Sequence, residues 1–171
     1  MSAAPPPVLV VTGVSGAGKS TVAKALAARL GWRFQEGDDF HPAANVAKMK
    51  AGVPLDDADR APWLAAIGGW IDARAAAGEP AVLSCSALKR AYRATLTDGR
   101  PQVRIIFLQG DEALIARRVA ARTHSYFPPA LLDSQFRDLQ PPGPDEHAVI
   151  VGIDPPVTAQ VEEIVRKLDL A

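Results

Sequence analysis

The sequence predicts an α/β fold, a five-stranded parallel sheet flanked by helices, and three observations lead there. Short apolar, β-branched runs alternate with segments of helical spacing. The first run opens directly into a glycine-rich loop and a helix. Two longer segments, 41–77 and 123–144, interrupt the alternation and read as a helical substrate-binding insertion and a lid within one domain spanning 1–171.

Residues 1–7, ending in three prolines, are poor material for helix or strand and read as a flexible leader. The run 8–12 (VLVVT) is continuous and apolar, the pattern of a strand buried on both faces of a parallel sheet. Similar runs follow at 81–85, 103–108 and 147–153, with a weaker one at 32–36. Helical spacing covers 19–30, 59–77, 89–97, 111–122, 129–139 and 157–168. Gly31, Gly78 and Gly99 stand where helices end, and Asp59 and Asp111 where two others begin.

Nineteen basic and nineteen acidic side chains cancel, so no broad phosphate-backbone footprint for nucleic acid is evident, and no stretch of about eighteen apolar residues offers a membrane span. The single Cys85 cannot form an internal disulfide, and the N-terminus lacks the basic and apolar regions of a signal peptide; both suit a reducing cytoplasm. Between two serines and with no basic neighbour in sequence, Cys85 reads as a small buried residue. Histidines at 41, 124 and 147 show no metal-ligand spacing.

Residues 13–20, GVSGAGKS, match G-x-x-x-x-G-K-[ST] in full, between a strand and a helix. The chemistry asks for each part. Gly13, Gly16 and Gly18 let backbone N–H groups curl around phosphate oxygens, Lys19 reaches the β and γ phosphates, and Ser20 ligates Mg²⁺. The candidate nucleotide set is Gly13, Ser15, Gly16, Ala17, Gly18, Lys19, Ser20 and Thr21, with ATP and Mg²⁺ as cofactors. A dinucleotide fingerprint would need different glycine spacing, and the one asparagine, Asn45, precedes a valine, so the guanine-reading N-K-x-D is absent. The run 81–86 (AVLSCS) supplies no aspartate. Asp38 and Asp39 close the weak strand at the edge where open α/β sheets bind ligands, and a carboxylate there can orient or deprotonate an attacking hydroxyl. Asp38 is the candidate base and a candidate metal residue, whereas Asp39 serves equally well as a helix cap. Arg60, in the insertion, suits bidentate grip of a carboxylate or an ion pair between helices, and His41, Lys89 and Gln135 are candidate acceptor ligands.

Asp38-Asp39-Phe40-His41-Pro42-Ala43-Ala44-Asn45, Lys48-Met49, Gly52-Val53-Pro54-Leu55, Asp57 to Leu64, Cys85 to Arg93, and Leu131-Leu132-Asp133-Ser134-Gln135-Phe136 together resemble the gluconokinase family, from about residue 8 to the C-terminus. The resemblance implies a P-loop kinase fold related to shikimate and adenylate kinases, ATP-dependent phosphorylation of D-gluconate to 6-phospho-D-gluconate, and a homodimer. Another small-molecule kinase of shikimate-kinase type, or a non-catalytic ATP-binding protein, would share the phosphate loop. Arg118 and Arg122, four apart on one helix face, would by similarity to adenylate kinase stack on adenine and contact phosphates in catalysis, with Arg117 directed elsewhere. The loop at Asp154-Pro155-Pro156 would lie beside the adenine. The lid departs from the family pattern Arg-x-Gly-His-Phe-x-Pro: between Arg122 and Pro128 the histidine, His124, is displaced by one residue and the glycine is absent.

Overall fold

A computed structural model describes residues 4–121 and 129–170, with side chains from 131 onward in the second stretch. The expectations for Arg122 and for lid residues 123–128, His124 among them, lie outside the described residues.

The five strands are β1 (Val8–Thr12), β2 (Arg33–Glu36), β3 (Ala81–Ser84), β4 (Val103–Gln109) and β5 (Val149–Gly152). They form one parallel sheet in the order β2-β3-β1-β4-β5. β1 is central and all five of its residues are buried, as its unbroken apolar run requires. Its successive side chains feed two cores. Leu9 and Val11 join Ile106, Leu108 and Val151 on one face; Val8 and Val10 join Leu83 and Ile105 on the other.

The helices are α1 (Lys19–Leu30), α2 (Ala43–Lys50), α3 (Asp57–Ala77), α4 (Arg90–Thr97), α5 (Glu112–Ala120), α6 (Pro129–Asp138) and α7 (Val157–Lys167). α1, α5 and α7 cover the first face with Val22, Leu26, Ile115, Val161 and Ile164; α3 and α4 cover the second with Trp63, Ile67, Ile71, Tyr92 and Leu96. Gly31 and Gly78 end α1 and α3 in the left-handed region, as expected. Asp111 caps α5 by accepting from the Leu114 N–H at 2.8 Å.

Three local expectations are corrected. Helix α3 begins earlier than 59: Asp56 is its cap, and Asp59 is the third residue of a capping box, each side chain accepting the other's backbone N–H at 2.7 and 3.0 Å. α4 ends on Asp98, with Gly99 one residue beyond. His147 does not start a strand; it sits at φ 55° after a short 3-10 turn, and β5 begins at Val149.

Candidate active site

The phosphate loop leaves the central strand between β3 and β4, where the chain's connections diverge to the two sides of the sheet and ligands bind in open α/β folds. The loop is braced from behind. Gly16 has φ +87°, and a Cβ there would lie 2.6 Å from Val119 of α5, so both conformation and contact demand glycine. Ala17 is packed in the core with its N–H on the Val14 carbonyl at 3.2 Å, so it shapes the loop from within. Lys19 Nζ donates to the Val14 carbonyl at 3.1 Å, folding the ammonium over the cradle. Thr21 is exposed on α1 and does not line the central cavity.

Ser20 points at a residue the sequence reading passed over. Its Oγ lies 2.7 and 2.8 Å from the two carboxylate oxygens of Glu36, the last residue of β2, and Ser84 Oγ donates to the same carboxylate at 2.5 Å. Asp38 was the expected partner of Ser20 at a metal. The carboxylate in contact with Ser20 Oγ is that of Glu36, because β3 lies between β2 and β1 and Glu36 reaches past the end of β3 to the start of α1. The available signal was an acidic residue closing the strand that follows α1; without the strand order its direction was not readable.

Beyond Glu36 the chain turns through a short 3-10 segment, Gly37–Phe40. Gly37 packs so tightly on β3 that a Cβ would lie 2.1 Å from the Ser84 carbonyl oxygen. Trp63 of α3, buried, donates Nε1–H to the Gly37 carbonyl at 2.8 Å and stacks on the His41 ring with centroids 4.3 Å apart. The turn carrying Asp38 is thus clamped from two sides. Asp38 is 68% exposed and faces the cavity; Asp39 diverges, accepting from Gln35 Nε2 at 3.3 Å, and the cap of α2 is Pro42.

The proton on His41 is placed by its neighbours. Asn45 Nδ2 lies 2.8 Å from the Asp59 carbonyl and 3.2 Å from His41 Nδ1. An amide nitrogen only donates, so Nδ1 accepts and the ring proton sits on Nε2, 3.8 Å from Asp38. Burial lowers the His41 pKa below 6.5; Asp38 opposes this and Arg60 adds to it. His41 is therefore a neutral imidazole with its N–H toward the Asp38 carboxylate.

Arg60 is 7% exposed, and the ion pair between helices that the sequence allowed is present. It forms an ion pair with Asp138 of α6 at 3.2 Å, shares Nη1 with the Tyr92 hydroxyl at 3.0 Å, and lines the cavity with Asp38. The Tyr92 hydroxyl in turn donates to Asp57, which also accepts from Lys89 at 3.0 Å. These bonds, Tyr92 first and then Lys89, hold the Asp57 pKa below its ordinary value, and the bond to Asp57 raises that of Lys89. Lys89 was expected at the acceptor but does not line the central cavity. It borders an adjoining hollow that shares Arg60 with the central cavity. Gln135 does reach the center, where its Oε1 accepts from the Ser15 backbone N–H at 2.6 Å.

One cleft therefore gathers Ser15, Lys19, Asp38, His41, Arg60 and Gln135. On the far side of the loop, Arg118 donates to the Ile153 carbonyl at 3.1 Å and Gln160 to the Pro155 carbonyl at 2.9 Å, so Arg118 and the 154–156 loop are brought together while Arg117 is exposed. Cys85 is 1% exposed, and burial pushes its thiol up to about 12, which suits an inert packing residue.

A family model described as an AAA domain matches residues 8–142. A gluconokinase of Gluconobacter oxydans is 47% identical over 161 residues, covering 94% of this chain and 90% of that protein. The chain belongs to the gluconokinase family. Among solved structures, a gluconokinase from Sinorhizobium meliloti aligns with a TM-score of 0.86 at 43% identity, covering 98% of this chain and 94% of that one. An unliganded sugar kinase from Janibacter sp. aligns at 0.93 and 41% identity, covering 98% and 96%. Gluconokinase membership agrees with the phosphate loop and the five-stranded parallel sheet found here. No helix among the described residues is long and apolar enough to cross a membrane.

Proposed function

We propose that this protein transfers the γ-phosphoryl group of ATP to a hydroxyl of D-gluconate, giving 6-phospho-D-gluconate and ADP. The observation that carries the reading is the shared cleft: phosphate-loop groups Ser15 and Lys19 line it together with a carboxylate base, Asp38, and a buried guanidinium, Arg60. Family membership supplies the identity of the acceptor.

The geometry supports the following roles. The loop N–H groups and Lys19 hold the phosphates and take up charge that spreads over them in the transition state. Arg60 grips the acceptor carboxylate with Nε and Nη2, since Asp138 and Tyr92 both engage Nη1 and no bond to the other two nitrogens is found among the described residues. The acceptor hydroxyl attacks the γ-phosphorus, its proton passes to Asp38, and the bond to the ADP oxygen breaks. Neutral His41 turns its Nε2 proton toward Asp38, 3.8 Å away, and leaves that carboxylate without a hydrogen bond from the ring. Ser20 and Glu36 present hard oxygen donors to one another beside the phosphate loop, a donor set suited to Mg²⁺, which keeps several waters and takes one or two carboxylates with substrate phosphates. Bound there, Mg²⁺ would neutralise charge on the β and γ phosphates. Arg118 and the Pro155 loop would receive the adenine. The break in strand–helix alternation supports a lid role for 123–144, the lone cysteine a cytoplasmic location, and the family resemblance a homodimer.

ADP release measured with MgATP against gluconate, shikimate, AMP and no acceptor tests the reading. Gluconate should raise the rate far above the acceptor-free value. Equal rates with and without every acceptor would overturn it, and stimulation by shikimate instead would reassign the acceptor.

A further inference from the structure

We infer that Gln135 is a positioning residue that ties the acceptor to the phosphate loop, its Oε1 held by the Ser15 N–H and its Nε2 presented to an oxygen of the acceptor. The inference rests on the kinase reading above.

Leu131, Ser134, Gln135 and Asp138 fall at i, i+3, i+4 and i+7 along α6, one helix face. The first three line the cleft with Lys19, Asp38 and Arg60, and Asp138 pairs with Arg60. A single helix face therefore touches both the phosphate loop and the acceptor guanidinium. Its C-terminal end is anchored: the Gln140 N–H donates to the Leu88 carbonyl at 2.8 Å, and the Arg90 N–H donates to Gln140 Oε1 at 2.9 Å.

The orientation of the Gln135 amide is decided by its partner. A backbone N–H can only donate, so the atom 2.6 Å from Ser15 N is the oxygen, and the two Nε2 hydrogens face away from the loop. Nε2 has no protein partner among the described residues, nor is it one of their sealed polar atoms, which are Arg74 Nε and Gln160 Oε1. A pair of donors left open in a cleft that also holds Lys19 and Arg60 selects an oxygen acceptor, here a hydroxyl of a polyhydroxy acid whose carboxylate goes to Arg60. The planar amide transmits position as well as affinity: with one end fixed on the loop, the other sets where the acceptor stands relative to the phosphate that the loop holds.

Gln135→Met keeps the length of the side chain and removes both polar ends. Without ligand, the Ser15 amide proton resonance should move upfield in the variant, as loss of a short hydrogen bond requires; an unchanged resonance would overturn the link to the loop. In steady-state assays the variant should raise the gluconate KM about tenfold or more and lower kcat, with affinity for a non-hydrolysable ATP analogue alone changed less than about threefold. A series of gluconate analogues each lacking one hydroxyl separates positioning from packing. One of them should cost the wild type about tenfold and cost the variant nothing further. Costs equal in both proteins for every analogue, or a variant that binds the ATP analogue more tightly, would overturn the proposal, the latter by making Gln135 a competitor of the phosphate. A wild type that ignores gluconate would instead bring down the kinase reading, and the Ser15 resonance would still decide the link.

Discussion

Replacing Gly37 by alanine places a methyl carbon 2.1 Å from the Ser84 carbonyl oxygen, with Ser84 C and Cys85 Cα both at 3.2 Å. All three are backbone atoms of the end of β3, so no side chain can turn aside. Ordinary contact begins at 3.4 Å, and the turn must move from β3 by more than an ångström. That displacement stretches the Trp63 bond to the Gly37 carbonyl, now 2.8 Å, and drags Asp38, the next residue. Overpacking of this kind costs about 1–3 kcal/mol, or a fall in Tm of roughly 2–12 °C for a chain of this size. Chemistry should suffer more, because misplacement by about 1 Å costs on the order of 100-fold in rate. Calorimetry and the gluconate-dependent ADP assay on one preparation give both numbers. Gly37→Ala with wild-type Tm and wild-type kcat would refute the claim that contact with β3 positions the base.

Three further outcomes follow from the same geometry. Asp38→Asn should lower kcat by about 10²- to 10⁴-fold with ATP affinity nearly unchanged, measured at saturating gluconate and by calorimetry; a kcat within a few-fold of wild type would exclude Asp38 as the base. Arg60→Ala should raise the gluconate KM about 10- to 100-fold with a smaller effect on ATP, and equal weakening of both substrates would place Arg60 at the phosphates or in the fold. His41, with its pKa lowered by burial, adds stability that is fully present above its unfolded value of 6.5 and is lost as the pH falls from there toward and through the folded value. Tm should therefore drop more steeply below pH 6.5 in the wild type than in His41→Gln, and parallel pH profiles would show that His41 is not buried as neutral imidazole.

The strands and the phosphate loop were legible because both signals are local: an unbroken apolar run for β1, and a spacing of glycine, lysine and serine whose chemistry tolerates little variation. Helix α2 was hidden inside the insertion because only one of its eight residues, Asn45, is buried, so it shows no apolar stripe. Aspartate serves either end of a capping box, so sequence alone does not separate Asp59 from a cap; only the reciprocal bonds with Asp56 decide which. Glu36 and Asp138 were unreadable for another reason. Each acts on a group distant in sequence, Ser20 across the end of β3 and Arg60 across the gap between α3 and α6. Lys89 is a further case of the same kind: its ion pair with Asp57, 32 residues away, is not readable from sequence.

Cys85 gives the protein a built-in reporter of its own breathing. It is the only thiol, it directly follows the strand between Glu36 and the phosphate loop, and in the closed state it is both inaccessible and protonated. Alkylation can therefore proceed only through molecules in which that edge of the sheet has opened. When reclosing is fast, the labelling rate divided by that of a free thiol is the open fraction itself. The native chain, without an engineered probe, measures how much ATP, gluconate or both together hold the center of the catalytic edge shut.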